Sequence, residues 1–300
     1  MPPVMRAAEA LLASIPAPRT IATSCGPLAC VIEGAGPPLL ALHGVMGGLD
    51  QSWLLARALW ARPEGRTLIA IARPGYPGTP LETGRAADDQ ARAYAGLLDA
   101  LGLDAAHVAA FSGGGPSALA FARQYPRRCR GLVLVSACTG RLETTPAQRA
   151  RFESLSRLAG LPGIGRVPAW AMRQWPQLPS RAFIPDPGQR SRLLADPQAG
   201  PLFAALLLSS FTRMPARLPG TLNDVAHLAR LPLRCDGGAA PVLAIHGTVD
   251  GVVPFAHAAG LARAMPHARV LALEGGTHMA LFTHLSRVRA ALARLPGADG

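Results

Sequence analysis

Short apolar runs alternate along the chain with stretches of helical periodicity. From residue 38 onward the apolar runs are nearly continuous, which is typical of parallel strands that are covered on both faces. Two earlier runs, at 20–26 and 28–34, predict an opening hairpin. The later runs predict strands at 38–44, 67–75, 107–112, 131–137, 240–247 and 268–276.

Helical patterns lie between these strands. Residues 88–102 begin with two aspartates and end at Gly102, in agreement with helix start and stop signals. Residues 261–266 and 284–295 have similar patterns. Regular alternation of strands and helices predicts an α/β fold with a mostly parallel sheet.

The alternation stops between Arg141 and Cys235. This part of the sequence has helical patterns, many prolines and several large apolar residues, but no strand pattern. We therefore predict a helical insertion between two strands of the sheet. The predicted divisions are a core at 20–140 and 236–300, the insertion at 141–235, and an N-terminal arm at 1–19.

The formal net charge of +12 comes from arginine alone, because the chain contains no lysine. The arginines are dispersed and no aromatic residues alternate with them, so we interpret them as surface residues and expect no nucleic-acid partner. The absence of lysine excludes a P-loop phosphate site and Schiff-base catalysis.

The five cysteines are odd in number and form no C-x-x-C pair. This pattern disfavours a disulfide framework or a zinc site and suits buried thiols in the cytoplasm. No apolar run reaches the length of a membrane span, and we expect no membrane partner. We interpret the N-terminal stretch as an uncleaved arm rather than a signal peptide.

Ser112 lies between a predicted strand and a predicted helix, within the stretch FSGGGPS. The positions two before and two after it hold Ala110 and Gly114, which are small enough for strand and helix to approach closely. Pro116 suits the first turn of a helix. The pattern indicates a nucleophile elbow, a sharp turn that exposes a serine hydroxyl. The alternative is a glycine-rich turn in which the serine only caps the helix.

A nucleophilic serine needs a base and a group that orients the base. His278 follows the last predicted strand, and Asp250 follows the strand before it. We expect both to lie with Ser112 at the carboxyl edge of the sheet, where α/β proteins build their sites. Taken alone, each of the two would be interpreted as a surface residue of a loop.

An oxyanion formed by serine attack needs preorganised N–H donors. Gly113 directly follows the serine, and its N–H is one candidate. The second candidate is the N–H of Val45, in the glycine-rich stretch that follows the strand at 38–44. His43, at the start of that stretch, is interpreted as a residue that shapes the loop.

Five stretches resemble motifs of the α/β-hydrolase fold superfamily and follow one another along the chain in the family's order. Residues 43–52 are similar to its oxyanion loop, 110–126 to its elbow, 246–254 to its acid loop and 275–281 to its histidine loop. Residues 72–80 resemble the loop after the next strand, although Ala72 and Pro77 depart from its common form. Ala110 replaces the usual first elbow glycine.

The resemblance implies an eight-stranded sheet flanked by helices, with residues 141–235 as a helical cap. It implies a serine hydrolase in which Ser112, His278 and Asp250 form the triad and Val45 and Gly113 the oxyanion hole. The expected substrate is a small, apolar molecule with an ester, thioester, lactone or related acyl bond. No cofactor or metal is expected.

Four alternatives stay open on the same residues. The triad could hydrolyse carbon–carbon bonds, or could carry out perhydrolysis or acyl transfer. The protein could also be a non-catalytic ligand-binding protein on a hydrolase scaffold. The sequence does not determine the substrate or the oligomeric state.

Overall fold

A computed structural model describes residues 1–60, 65–143, 145–230 and 240–294 of the chain. Eight strands of this part form one sheet in the order β1-β2-β4-β3-β5-β6-β7-β8. The strands are β1 (Arg19–Thr23), β2 (Gly26–Glu33), β3 (Pro38–Leu42), β4 (Thr67–Ile71), β5 (Ala106–Phe111), β6 (Cys129–Val135), β7 (Val242–Gly247) and β8 (Ala268–Leu273). Each predicted strand is confirmed, with ends that differ by a few residues.

Among the eight described strands, β2 runs opposite in direction to the other seven. It pairs antiparallel with β1, as the predicted hairpin requires, and antiparallel with β4. From β4 to β8 all pairs are parallel. The mostly parallel sheet is therefore confirmed, and the carboxyl ends of β3, β5, β7 and β8 lie at one edge.

Helices cover both faces of the sheet. They are α1 (Pro3–Ala13), α2 (Leu49–Leu59), α3 (Ala87–Ala100), α4 (Gly115–Gln124), α5 (Pro146–Ala159), α6 (Arg166–Gln174), α7 (Gln177–Ser180), α8 (Pro187–Ala195), α9 (Ala199–Thr212), α10 (Met214–Leu228), α11 (Ala256–Ala264), α12 (Ala280–Thr283) and α13 (Leu285–Leu292). Short 3₁₀ turns occupy Leu81–Thr83 and Ser112–Gly114.

The strands are continuously apolar because each face of the sheet is buried in its own core. In β3, Leu39 and Ala41 point into one core cluster, whereas Leu40 and Leu42 point into the other. Alternate side chains of a strand leave opposite faces, so both sets must be apolar. The first cluster includes residues of α1, α2, α9 and α13, and the second includes residues of α3, α4 and α11.

The insertion between β6 and β7 is helical, as predicted. Its described residues form α5 to α10 and contain no strand. The helix α9 is almost entirely buried and shares a core cluster with α1 and α2, because Phe203 and Met5 belong to the same set of buried residues. The insertion therefore packs against the sheet layer and the N-terminal helix. The predicted end of the insertion at residue 235 lies outside the described residues.

Four of the five cysteines can be described. Cys30, Cys129 and Cys138 are buried, Cys25 is half-buried, and all four are free thiols. Burial raises the pKa of Cys30 to about 11 and the pKa of Cys129 and Cys138 to about 12. These thiols are therefore protonated near neutral pH. Cys235 lies outside the described residues. No helix of the described ranges is long and apolar enough to cross a bilayer.

A buried ion pair fastens α10 to the loop after β4. The Arg73 guanidinium bonds both carboxylate oxygens of Asp224 on α10, and Tyr76 Oη donates to Asp224 Oδ2 over 2.6 Å. Arg73 Nε also donates to His43 O over 2.8 Å. Burial by itself lowers the pKa of Arg73, but the Asp224 carboxylate outweighs burial and raises it above the usual value. The Arg73 guanidinium is therefore held in its charged form.

His43 holds the loop after β3 by hydrogen bonds to backbone groups at both ring nitrogens. Its Nδ1 donates to Gly44 O over 2.7 Å, and its Nε2 accepts from the Arg73 N–H over 3.0 Å. A carbonyl can only accept and an amide N–H can only donate, so this pattern fixes a neutral ring with its proton on Nδ1. Burial and the nearby Arg73 cation hold the pKa of His43 well below its usual value.

A second arginine connects α10 with the same loop. Arg217 is buried, donates to Met46 O over 3.0 Å and bonds Asp50 Oδ2 at the start of α2 over 2.7 Å. The backbone N–H of Gly220 donates to Gly75 O over 2.8 Å. The helix α10 is therefore held at several points against the loops that follow β3 and β4.

We expect Asp224→Asn to lower the free energy of unfolding by roughly 3–5 kcal/mol, because it leaves the Arg73 cation buried without its partner. Urea titration followed by circular dichroism measures the change. The control is Glu82→Gln, which removes an exposed ion pair with Arg85 and should cost less than about 1 kcal/mol. Equal losses in the two variants would contradict the assignment.

We expect the stability of the wild type to fall as the pH drops below about 6.5, the usual pKa of an unfolded histidine. Below that pH the unfolded chain binds a proton at residue 43 that the native state does not bind. The contribution approaches about 1.4 kcal/mol per pH unit. In urea titrations from pH 7 to pH 5, His43→Asn should show a shallower loss, and the exposed His267→Asn should retain the wild-type slope. A wild-type slope in His43→Asn would refute this account.

Candidate active site

Ser112 lies at a sharp turn between β5 and α4. Its φ of +51° is in the left-handed region, which a serine adopts only when its surroundings impose it. A Cβ on Gly114 would lie 2.7 Å from His43 O, and a Cβ on Gly115 would lie 2.4 Å from Cys138 O. The backbone of neighbouring loops therefore excludes side chains here. Ala110 is fully buried, so a methyl group fits at the first elbow position.

The loops after β7 and β8 bring Asp250 and His278 to this serine. His278 Nε2 lies 3.1 Å from Ser112 Oγ, and His278 Nδ1 lies 2.8 Å from Asp250 Oδ2. A carboxylate accepts, so Nδ1 carries the proton and Nε2 presents its lone pair to the serine hydroxyl. The three side chains that the sequence placed at one edge of the sheet thus form a single hydrogen-bonded chain. All three are buried.

Backbone contacts keep the two loops together. The N–H of Val249 donates to Gly276 O over 3.1 Å. A Cβ on Gly247 would lie 2.1 Å from the same carbonyl oxygen, so only glycine fits at the end of β7. Ser136 Oγ donates to the backbone oxygen of His278 over 3.1 Å. The relative position of the carboxylate and the imidazole is therefore set by main-chain packing.

The carboxyl group of Asp250 is held in its ionised form. Its Oδ1 accepts from the N–H groups of Val252 and Val253 over 2.8 and 2.9 Å. Burial raises the pKa of Asp250, but the neighbouring His246 and His278 and the hydrogen bond from the Val253 N–H outweigh burial and hold the pKa well below its usual range. A permanent negative charge therefore faces the imidazole.

His246 lies next to Asp250, although the sequence did not place it in the site. Its Nε2 donates to Val253 O over 2.8 Å and lies 3.4 Å from Asp250 Oδ2. The residue ends β7 four positions before the aspartate. Two histidines therefore flank one carboxylate. Only the pairing of His246 with the turn at 250–253 reveals this, because the motif at 246–254 pointed to Asp250 and not to a contact between the two residues.

The loop after β3 lies against the first turn of α4. A Cβ on Gly113 would lie 3.3 Å from the N atom of Val45 and 2.5 Å from its Cγ2, so the two residues are close neighbours. The structure gives neither of their N–H groups an acceptor among the described residues. A Cβ on Gly44 would lie 3.0 Å from Ser112 Cβ. Two unpaired donors thus lie beside the serine, at the start of a helix whose dipole favours negative charge.

Apolar side chains surround this centre. Cys138, Leu228 and Val253 form a buried cluster with Val45 and Leu142 packed against it. Leu228 ends α10, and its backbone oxygen accepts from the Leu142 N–H over 3.0 Å. The two ends of the helical insertion therefore meet beside the serine, which the sequence pattern did not indicate.

The described residues contain no group of three or more His, Cys, Asp or Glu side chains arranged to hold a metal ion. The buried titratable groups at the carboxyl edge are instead paired with one another or with backbone groups. The imidazole of His278 can therefore take up a proton, and the negative charge of Asp250 stabilises the imidazolium.

A family model described as the alpha/beta hydrolase fold matches residues 37–285. Among solved structures, an alpha/beta hydrolase fold protein from Nakamurella multipartita is 34% identical, with a TM-score of 0.82 over 95% of this chain and 100% of that chain. The uncharacterized hydrolase YcgS of Bacillus subtilis is 29% identical over 248 residues, which are 80% of this chain and 84% of that protein.

A third similarity is local. The 2-hydroxy-6-oxononadienedioate/2-hydroxy-6-oxononatrienedioate hydrolase of Burkholderia vietnamiensis is 42% identical over 78 residues, which are 25% of this chain and 27% of that protein. The family match spans most of the chain and includes the loops that carry Ser112, Asp250 and His278. The chain belongs to the alpha/beta hydrolase fold family and is an enzyme of the hydrolase class.

Proposed function

We propose that the protein is a serine hydrolase that cleaves an ester, thioester, lactone or related acyl bond. The observation that carries the proposal is the hydrogen-bonded chain from Ser112 Oγ through His278 to Asp250, with its distances of 3.1 and 2.8 Å. The strained backbone of the serine and the two unpaired N–H groups beside it support the same role.

In the proposed reaction, Ser112 Oγ attacks the substrate carbonyl while His278 Nε2 takes its proton. Asp250 holds the Nδ1 proton and stabilises the imidazolium that forms. The N–H groups of Val45 and Gly113 bind the oxyanion, a contribution of roughly 3 kcal/mol for each donor. His278 then gives its proton to the leaving group, and an acyl-enzyme remains.

Hydrolysis of the acyl-enzyme reverses the roles. A water molecule loses a proton to His278 Nε2 and attacks the acyl carbon, and the same two N–H groups hold the second oxyanion. His278 returns the proton to Ser112 Oγ as the acid leaves. Each step uses side chains and backbone groups of this chain together with water.

We further propose that residues 141–235 act as a cap that shapes an apolar acyl pocket. Leu228 and Leu142, from the two ends of this segment, lie in the apolar cluster beside Ser112. Apolar walls favour a small substrate with an uncharged acyl group and exclude water from the oxyanion. The free thiols of the described cysteines suit the proposed location in the cytoplasm.

We expect Ser112→Ala to lower kcat on p-nitrophenyl esters by about 10⁴-fold or more and to abolish labelling by a fluorophosphonate probe. The matched control is Ser117→Ala, which removes a buried hydroxyl five residues away that bonds Gly114 O and Tyr94. That variant should be labelled as the wild type is. An unlabelled wild type that also leaves esters of several acyl lengths intact would reject the proposal and favour a ligand-binding role.

Carbon–carbon bond hydrolysis is the second candidate, and the local similarity to the Burkholderia enzyme favours it. The compound in that enzyme's name is a carbon chain that carries oxo, hydroxy and carboxylate groups and no ester. Its hydrolysis must therefore break a carbon–carbon bond next to the ketone. The same triad can serve this reaction if the leaving group is a stabilised carbanion that accepts a proton.

A direct comparison of two substrates separates the candidates. Purified enzyme is incubated with p-nitrophenyl esters and, separately, with 2-hydroxy-6-oxo-6-phenylhexa-2,4-dienoate, and benzoate release from the dienoate is followed by chromatography. We expect kcat/KM for the best ester to exceed that for the dienoate by at least about tenfold, or about 1.4 kcal/mol in the barrier. The reverse order, lost in Ser112→Ala, would replace ester hydrolysis by the second candidate.

A further inference from the structure

The helix α6 is apolar on two opposite sides. Ala169 and Met172 are buried against the rest of the fold. Val167 and Trp170, which are three residues apart and so share a face, are 70% and 53% exposed. Packing within the fold accounts for the apolar residues on the buried side of α6. It does not account for those on the exposed side, because a surface helix of a globular protein normally turns polar residues to the solvent.

The exposed apolar surface continues beyond α6. The rings of Trp170 and Trp175 meet edge to face with centroids 5.1 Å apart. Trp175 and Leu178, which are 51% and 53% exposed, line a groove of about 1010 Å³ between the start of α1 and α8. We call Val167, Trp170, Trp175 and Leu178 the tryptophan patch. A contiguous apolar surface of this kind usually marks a contact with another molecule or a membrane.

Two exposed arginines lie close in sequence to the residues of the tryptophan patch. Between Glu153 and Asp186 the chain contains four arginines and no acidic residue. Of these four, Arg173 pairs with Glu9. Arg166 and Arg181 are exposed, and neither has an ion-pair partner in the part of the chain that the structure describes.

The acidic groups next to this segment are already engaged in capping. Asp186 accepts from the N–H of Gln189 at the start of α8. Asp196, which lines the groove, accepts from the N–H groups of Gln198 and Ala199 at the start of α9. Their carboxylates are therefore bound to helix termini rather than to the arginines beside the patch.

The combination of exposed tryptophans and arginines favours one kind of binding partner for the tryptophan patch. Tryptophan rings settle at the headgroup level of a bilayer, and arginines beside them bind lipid phosphates. A second copy of the chain would bring arginine against arginine and add its own net charge of +12. We propose that the tryptophan patch docks the protein on the surface of an anionic phospholipid bilayer, with α6 lying in the interface.

The proposal concerns a protein that lies on a membrane and does not span it. The expectation of no membrane partner was based on the lack of a spanning run, and the described helices contain none. Docking through one helix face needs only side chains that reach the boundary between headgroups and acyl chains. The patch acts in this way whichever bond the enzyme cleaves.

Vesicle binding by the full chain tests the proposal. The protein is sedimented with vesicles of phosphatidylcholine alone or of an equimolar mixture with phosphatidylglycerol, at low and high salt. We expect binding to the mixed vesicles that weakens with salt, together with a blue shift of tryptophan emission. Trp170→Ser/Trp175→Ser and Arg166→Gln/Arg181→Gln should each lower the partition coefficient by roughly tenfold or more.

Two control variants match these changes in exposure and charge. Leu222→Ser removes an apolar side chain that is 50% exposed on α10. Arg263→Gln/Arg269→Gln removes two exposed arginines at α11 and β8. Each control should stay within about twofold of the wild type. An unchanged circular dichroism spectrum and urea midpoint show that the patch variants are folded.

Three results would overturn the proposal. The first is a wild type that binds neither vesicle. The second is equal loss of binding in the patch variants and the controls, which would indicate attraction by net charge alone. The third is a light-scattering result in which the wild type is a dimer and the Trp170→Ser/Trp175→Ser variant is a monomer. That result would assign the patch to contact with a second copy of the chain.

Discussion

Parallel pairing of the strands is the constraint on which the candidate site depends. Residues of β3, β5, β7 and β8 run in one direction, so the loops that follow them emerge at one edge. Ser112 is more than a hundred residues distant in sequence from Asp250 and His278, and hydrogen bonds join the three side chains there. Close backbone contacts at Gly114 and Gly115 surround the strained turn at Ser112, and a strained conformation persists only where its surroundings impose it.

The helical insertion contributes to this edge through buried charges. Arg73 of the core binds Asp224 of α10, and Arg217 of α10 binds Asp50 of the core. Desolvation makes buried ion pairs a weak source of net stability, but an unpaired buried charge is strongly unfavourable. Any other position of α10 would break both ion pairs and is therefore unfavourable in free energy. They fix the position of a helix whose last residue lies next to the serine.

The same insertion has a second, outward-facing surface. Its inner residues contact the sheet layer and the neighbourhood of Ser112, whereas the tryptophan patch faces away from the fold. The positive net charge of the chain is spread over many arginines, but the lack of acidic residues in one stretch concentrates it beside the patch. The general excess of arginine thus sets the net charge of the protein, whereas the arginines near Trp170 and Trp175 place positive charge beside an exposed apolar surface.

Sequence alone determined the sheet and the location of the nucleophile turn. Continuous apolar runs specify buried parallel strands, and small residues around Ser112 specify a close strand-to-helix approach, since both are local requirements. The chain order of Asp250 and His278 after the last two strands predicted their edge of the sheet. Their hydrogen-bonding distances could not be predicted, because those depend on how the two loops pack.

Only the tertiary structure decided which residues support the site. His246 lies beside Asp250 because the turn at 250–253 folds back onto β7, and no motif encodes that contact. Arg73 meets Asp224 across about 150 residues of chain, and the packing of α10 brings Leu228 next to Gly113, the residue after the serine. The exposure of Trp170 and Trp175 was equally hidden, since a helical pattern does not reveal which of its apolar faces is covered. Local pattern fixes elements, whereas long-range packing selects their partners.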